Sequence, residues 1–206
     1  MKIFRSLILC IIFSIVGGFA HAQKGEVAKL ETVTKEMLDV LYNDRYEGYT
    51  YEQQESAVRS ILEENYDVMV LIRRAMARNW SLLSTEEQAQ VQELVVKLIV
   101  KAYIEGLRSL DRPIIEYGDL ITITEKRFEI PARVTFPDGK VFNLVYRFGR
   151  LKSGWQIYDI LAEDVSIVSN YRQQFDDHFR KGTGAELIEK LEKFLEEDNL
   201  NEKTKL

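Results

Sequence analysis

Apolar residues recur at helical spacing through the first half of the chain. This spacing predicts four helices, over residues 26–41, 53–62, 66–77 and 84–110. Ser84, followed three residues later by Glu87, has the pattern of a capping box and marks the start of the fourth helix. Residues 94–104 in that helix are apolar on most sides, which is typical of a buried helix.

The pattern becomes extended after Pro113. Alternating apolar residues predict four strands, over residues 114–123, 129–136, 141–148 and 155–161. The turn-forming segments 137–140 and 152–154 predict that neighbouring strands pair as an antiparallel meander. Pro131 within the second strand favours an edge position or a bulge, because proline cannot donate to a neighbouring strand.

Helical spacing returns after the strands. It predicts a helix over residues 166–180 and a last one that begins at the capping box of Thr183 and Glu186. Helices, then a four-stranded antiparallel sheet, then helices again indicate the α+β class.

The first residues have the features of a secretory signal peptide. Lys2 and Arg5 precede an apolar run over residues 7–19, and Ala20-His21-Ala22 supplies a cleavage site after Ala22. The run is shorter than the ~20 apolar residues of a spanning helix. We therefore predict a signal peptide over 1–22, a single domain over 23–198 and a polar tail over 199–206, in a chain exported to the periplasm.

Charge and composition argue against several classes of partner and of catalytic chemistry. The formal net charge is -5, and removing Lys2 and Arg5 with the signal peptide would make it -7. This acidity argues against nucleic acid as a partner. Cleavage would also remove the only cysteine and leave His178 as the only histidine. Zinc sites and cysteine–histidine catalysis would then lack their residues, and no cofactor is expected.

Asp159 is the carboxylate that stands apart, because it lies in the last predicted strand among apolar residues. One interpretation is a general base in a sheet-lined pocket. The other, which we favour, is a structural carboxylate that accepts hydrogen bonds. Strict alternation along the strand places Asp159 on the face opposite Tyr158 and Ile160.

Two segments resemble a known family. Trp155, Tyr158-Asp159, Val165-Ser166 and Asn170-Tyr171-Arg172 resemble the signature of the periplasmic phospholipid carriers called the MlaC, or toluene-tolerance, family. Tyr66-Asp67, Arg78-Asn79-Trp80 and the helix start at Ser84 resemble its helical half, so that the similarity spans roughly residues 55–195. Ala77 and Asp164 stand where the family usually has glycine. A glycine at residue 164 would permit a positive φ that aspartate adopts only at some energetic cost, so the local backbone shape there is left open.

The resemblance implies a carrier with an apolar lipid cavity between a curved sheet and helices. It also implies a phospholipid ligand, no bond-changing chemistry, and exchange with an inner-membrane lipid-transport ABC complex and an outer-membrane lipoprotein–porin complex. Such exchange would maintain outer-membrane lipid asymmetry. From the residues alone, the many aromatic side chains are better explained as core packing; the resemblance turns the balance towards a ligand pocket.

Strand alternation and the resemblance together select the candidate lipid-binding residues. They are Leu71, Ala75, Trp80, Leu98, Tyr103, Val134, Phe136, Phe142, Leu144, Tyr146, Trp155, Ile157, Val165 and Val168. Arg73, Arg74 and Arg78 form a basic set that is either a docking surface or a solvated helix face. Two alternatives to the carrier remain: a periplasmic enzyme with Asp159 as its general base, and an exported interaction module whose aromatic residues only form a core.

Overall fold

The computed structural model of the chain describes residues 25–197. Its helices are α1 (25–42), α2 (Tyr51–Asn65), α3 (Val68–Met76), α4 (Thr85–Arg108), α5 (Ile167–His178) and α6 (Gly184–Glu196), with short 3-10 helices at Asp44–Tyr46 and Ala77–Leu82. Among the helices of the described range, none combines the length and the apolarity that crossing a membrane requires. The predicted signal peptide (1–22) and the whole of the predicted tail (199–206) lie outside the described residues.

Side-chain caps fix where the helices begin. Both predicted capping boxes are confirmed: Ser84 and Thr183 each accept a hydrogen bond from the backbone N–H three residues on. A third box, formed by Thr50 and Gln53, starts α2 two residues before the predicted helix.

The sheet has six antiparallel strands, not the four that were predicted. They are β1 (Ile114–Tyr117), β2 (Ile121–Thr124), β3 (Arg127–Thr135), β4 (Val141–Leu151), β5 (Gly154–Ala162) and β6 (Val165–Ser166). Their order is β1-β3-β4-β5-β6, and β2 also pairs with β3, so the meander of the last strands is confirmed. The first predicted strand is divided in two because residues 118–120 leave the ladder, and the short β6 adds a pair to β5.

Pro131 lies in the interior strand β3, so the predicted edge position is wrong. Its carbonyl accepts a hydrogen bond from the Gly118 N–H at 2.9 Å. The N–H and C=O of one strand residue point to the same side, so the missing donor faces the gap between β1 and β2. No ladder bond is lost there.

A bulge at Tyr158 changes the face on which β5 side chains lie. Arg147 pairs with Asp159 and Phe148 pairs with Ile157, which leaves Tyr158 as an extra residue. A Cβ built on Gly149 would lie 3.1 Å from Tyr158 Cδ1. Tyr158 therefore shares a face with Asp159, contrary to the strict alternation assumed from the sequence.

Two of the three non-glycine residues with positive φ in the described range, Ala77 and Asp164, lie where the family usually has glycine. Asp164 keeps the positive φ that a glycine would permit, at 63°, and follows Glu163 at 47°. The two form the tight turn between β5 and β6, where positive φ matches the strand twist. Ala77, with φ 47° and ψ -123°, ends α3.

Three hydrophobic clusters hold these elements together. The helical cluster is built from α3 to α6, around Ile72, Met76 and Leu187. The sheet cluster packs Leu30 and Val33 of α1 on β3, β4 and β5. The third cluster joins α1, α2 and α4 through residues such as Val40, Val58 and Val100.

Candidate functional site

One face of the sheet, here called the inner face, is apolar across three strands. Residues directly opposite each other on antiparallel strands share a face, so register assigns its members. They are Phe128, Ile130, Ala132, Val134 and Phe136 along β3 and just beyond it, Phe142, Leu144, Tyr146 and Phe148 on β4, and Trp155, Ile157 and Ile160 on β5.

The inner face is sealed at one end. Phe128 and Phe148 stack there with ring centroids 4.7 Å apart, and Trp155 meets Phe128 edge-on at 4.7 Å. Leu30 and Val33 of α1 pack over these rings in the sheet cluster. This end is ordinary close-packed core.

Cover decreases towards the other end. The exposed fraction along β3 rises from 0% at Phe128 and Ile130 through 5% at Ala132 to 8% at Val134, and Phe142 on β4 exposes 45%. Ala132, Val134 and Phe136 are buried but belong to none of the three clusters. The inner face is thus an apolar surface that is closed at one end and open at the other.

Burial affects two tyrosines outside the close-packed end of the sheet. Burial raises the pKa of Tyr146, although its side chain is only half-buried. Burial also raises the pKa of Tyr171 on α5, which exposes 45% of its surface.

Tyr103 connects α4 with the inner face. Burial is the main cause of its raised pKa, and the neighbouring Tyr42 and Tyr146 contribute. Its ring packs on the third cluster, while its buried hydroxyl has no hydrogen-bond partner in the described part of the chain. Tyr103 therefore brings the second half of α4 close to Tyr146 on β4.

Asp159 is held on the opposite, outer face by four donors. Its Oδ1 accepts from the backbone N–H groups of Ile160 (2.9 Å) and Val168 (3.2 Å). Its Oδ2 accepts from the Ser166 hydroxyl (2.8 Å) and from Arg147 Nη1 (3.3 Å). Asp159 is 6% exposed, and its carboxylate joins β5 to the N-terminus of α5, so the geometry supports the structural interpretation.

The chain is similar to known proteins in both sequence and fold. The sequence model of the MlaC protein family matches residues 31–193. The chain belongs to the MlaC family. Its fold is also that of a phospholipid-binding protein from Ralstonia solanacearum, solved in complex with a phospholipid: the TM-score is 0.71 at 22% identity, over 82% of this chain and 96% of that one. None of the curated proteins compared with the chain matches it.

The structure of this MlaC-family chain brings eight of the fourteen candidate residues together. Seven share the inner face: Val134, Phe136, Phe142, Leu144, Tyr146, Trp155 and Ile157. Tyr103 is the eighth, because it lies near Tyr146. Their binding role stays a prediction.

The other six lie elsewhere. Ala75, Trp80, Leu98 and Val168 pack in the helical cluster, and Leu71 contacts both the helical and the sheet clusters. Val165 on β6 exposes 59% of its surface. The sequence pattern identified these residues as apolar, but it could not show whether each belongs to the helical cluster or to the inner face of the sheet.

Three residues of the inner face, and Tyr171 on α5, were not among the candidates. Ile115 and Tyr117 of β1 pair with Val134 and Ala132 and so extend the inner face. Ile160 lies opposite Tyr146. Tyr171 belongs to the Asn-Tyr-Arg signature, and its place on the apolar stripe of α5 was the signal that could have selected it.

Residues 25–197 contain no group of three histidine, cysteine or acidic residues that could hold a metal ion. His178 is part of a helix end, with Nε2 3.0 Å from the carbonyl oxygen of Thr183.

Proposed function

We propose that the chain is a periplasmic phospholipid carrier that holds acyl chains against the open end of the inner face. It would shuttle lipid between an inner-membrane ABC complex and an outer-membrane lipoprotein–porin complex, and so maintain outer-membrane asymmetry. Membership of the MlaC family and the phospholipid bound by the Ralstonia solanacearum protein support this proposal.

The observation that carries the proposal is the apolar face that loses its cover from Phe128 to Phe142. A diacyl lipid has on the order of 30 methylenes, each costing about 0.8 kcal/mol in water, so roughly 20 kcal/mol opposes its free passage. An apolar face inside the fold removes that cost without any bond being made or broken.

The enzyme alternative, with Asp159 as general base, has less support. Both carboxylate oxygens already accept two hydrogen bonds, and the side chain lies on the outer face, away from Tyr146 and Val134. A general base must reach a substrate proton directly or through one water. The geometry therefore favours binding over catalysis.

The test is the lipid content of freshly purified protein, measured by extraction and mass spectrometry. Leu144→Trp adds bulk to the half-buried inner face and should abolish co-purified phospholipid while the protein stays folded. Arg133→Trp, on the exposed outer side of β3, is the matched control and should retain lipid. A wild-type protein that never carries lipid, or a folded Leu144→Trp protein with undiminished lipid, would contradict the proposed site.

Export is tested separately. N-terminal sequencing of protein released from the periplasm should begin at Gln23, since cleavage is expected after Ala22. Protein found only in the cytoplasm with Met1 intact would remove the periplasmic part of the proposal.

A further inference from the structure

The outer face carries an arginine group that the lipid site does not use. Tyr158, the bulged residue of β5, lies against Gly149, whose lack of a side chain leaves room for the ring. The Arg74 guanidinium lies 4.6 Å from the centroid of this ring and that of Arg127 lies 5.8 Å from it. We call Arg73, Arg74, Arg127 and Arg172 the outer arginine cluster.

Helix packing fixes the rest of the cluster. Arg172 on α5 donates two hydrogen bonds to the Arg74 carbonyl oxygen, from Nε at 3.0 Å and from Nη2 at 2.7 Å. Arg73 places its guanidinium 5.5 Å from the centre of the Trp80 ring. The cluster is therefore arranged on α3, α5 and β3 around aromatic rings.

The cluster is positive without local compensation. None of its four arginines has an ion pair with a carboxylate of residues 25–197, whereas the nearby Arg78 lies 3.4 Å from Asp176. The whole chain carries a formal charge of -5. Exposed like charges held close together repel each other, so their concentration on an acidic protein indicates a partner that supplies negative charge.

A cleft adjoins the cluster. It has a volume of about 630 Å³. Its lining includes Arg73, Trp80 and Leu151, together with the polar residues Asp67, Thr85, Gln88 and Gln92. Leu151 is 46% exposed and lies two residues beyond Gly149 on β4. Arg73 and Trp80 line this cleft, and arginine and tryptophan are among the residues that dominate the binding energy of protein interfaces.

We propose that the outer arginine cluster and this cleft dock a protein surface on which carboxylates surround an apolar side chain. Arginine presents a planar fork that matches a carboxylate, and an apolar side chain would fill the cleft beside Trp80. A flat anionic bilayer fits less well, because it cannot enter a concave cleft and is repelled by the net negative charge of the chain.

Docking and lipid binding lie on opposite faces of the sheet. Arg74 and Arg127 contact Tyr158 on the outer face, whereas Leu144 and Tyr146 are on the inner face. Changes in the cluster should therefore leave bound phospholipid intact. The inference rests on the proposed function only for its choice of probes, the two membrane complexes.

The experiment measures binding of the full, lipid-loaded protein to each membrane complex in nanodiscs, across a series of salt concentrations. The test variant is Arg74→Glu/Arg127→Glu. The matched control is Arg45→Glu/Arg108→Glu, since these arginines also lie over tyrosines, Tyr46 at 5.5 Å and Tyr51 at 6.0 Å, and the change in net charge is the same.

We expect the test variant to lose at least about tenfold in affinity for one complex and to show a weaker dependence on salt, while the control binds like wild type. Lipid content by mass spectrometry should be unchanged in both. Arg74→Gln/Arg127→Gln, which removes charge without reversing it, should be intermediate.

Several outcomes would overturn the docking site. They are binding of neither complex by wild type, equal losses in the test and control variants, and unchanged binding by a folded test variant. Phosphatidylglycerol vesicles are a further probe: wild-type binding that is lost in the test variant would identify a membrane in place of a protein. Absence of lipid from wild type contradicts the carrier function, a result separate from each of these.

Discussion

We predict that Asp159→Asn lowers the free energy of unfolding by about 1–3 kcal/mol and leaves phospholipid bound. Asparagine keeps one oxygen, which can still accept from the backbone N–H groups of Ile160 and Val168. Its amide nitrogen replaces the oxygen that accepts from Ser166 and Arg147. A donor then faces a guanidinium, and the charge-assisted bond is lost.

The magnitude has two sources. A hydrogen bond to a charged group contributes about 1.5–3 kcal/mol, and a negative charge near a helix N-terminus adds about 0.3–1 kcal/mol. Asp159→Ala should cost more, about 3–5 kcal/mol, because it leaves the Arg147 charge with Glu129 as its only carboxylate partner and removes the partner of two backbone donors. The ranking is therefore alanine below asparagine below wild type.

The assay is thermal melting together with lipid content. For a domain of 150–250 residues, 1 kcal/mol shifts the melting temperature by about 2–4 °C, so that Asp159→Asn should melt about 2–12 °C below wild type. Asp138→Asn, in the exposed turn between β3 and β4, is the control and should melt like wild type. An undestabilised Asp159→Asn, or one that loses its phospholipid while folded, would refute the structural role assigned to this carboxylate.

Two further predictions concern stability alone. Ala77→Gly should stabilise the protein by about 0.5–2 kcal/mol, because φ 47° and ψ -123° strain alanine, and chemical denaturation should detect it; Ala102→Gly on the exposed side of α4 should instead destabilise. Lys101→Met should cost about 1–3 kcal/mol, because the buried Lys101 ammonium donates to the carbonyls of Leu195 and Glu197 at the end of α6. Hydrogen exchange of the last turn of α6 should then be faster, and unchanged exchange would contradict this capping role.

Local signals predicted most of the fold. Ser84 and Thr183 begin helices by bonding groups three residues away, so their sequence spacing is sufficient. The strands β3, β4 and β5 follow from alternation, because each has one face in the core. The α+β class and the sheet meander were therefore accessible from the sequence.

Features that depend on pairing between distant segments could not be predicted from the sequence. The bulge at Tyr158 is defined by the register of β5 against β4, and Tyr158 has the same local pattern with or without it. Pro131 is tolerated inside the sheet only because residues 118–120 interrupt the neighbouring strand. Likewise, periodicity identifies Ala75 and Val134 as buried but does not show that they belong to different layers.

Leu71 links α3 to two hydrophobic clusters, the helical cluster and the sheet cluster. Its side chain contacts both the helical cluster and the sheet cluster, while Arg73 lies on the opposite side of the same short helix. A movement of α3 relative to the helical cluster or the sheet cluster would therefore disturb the packing of the other cluster. A force applied to α3 at Arg73 would be transmitted through Leu71 to the aromatic rings at the sealed end of the sheet.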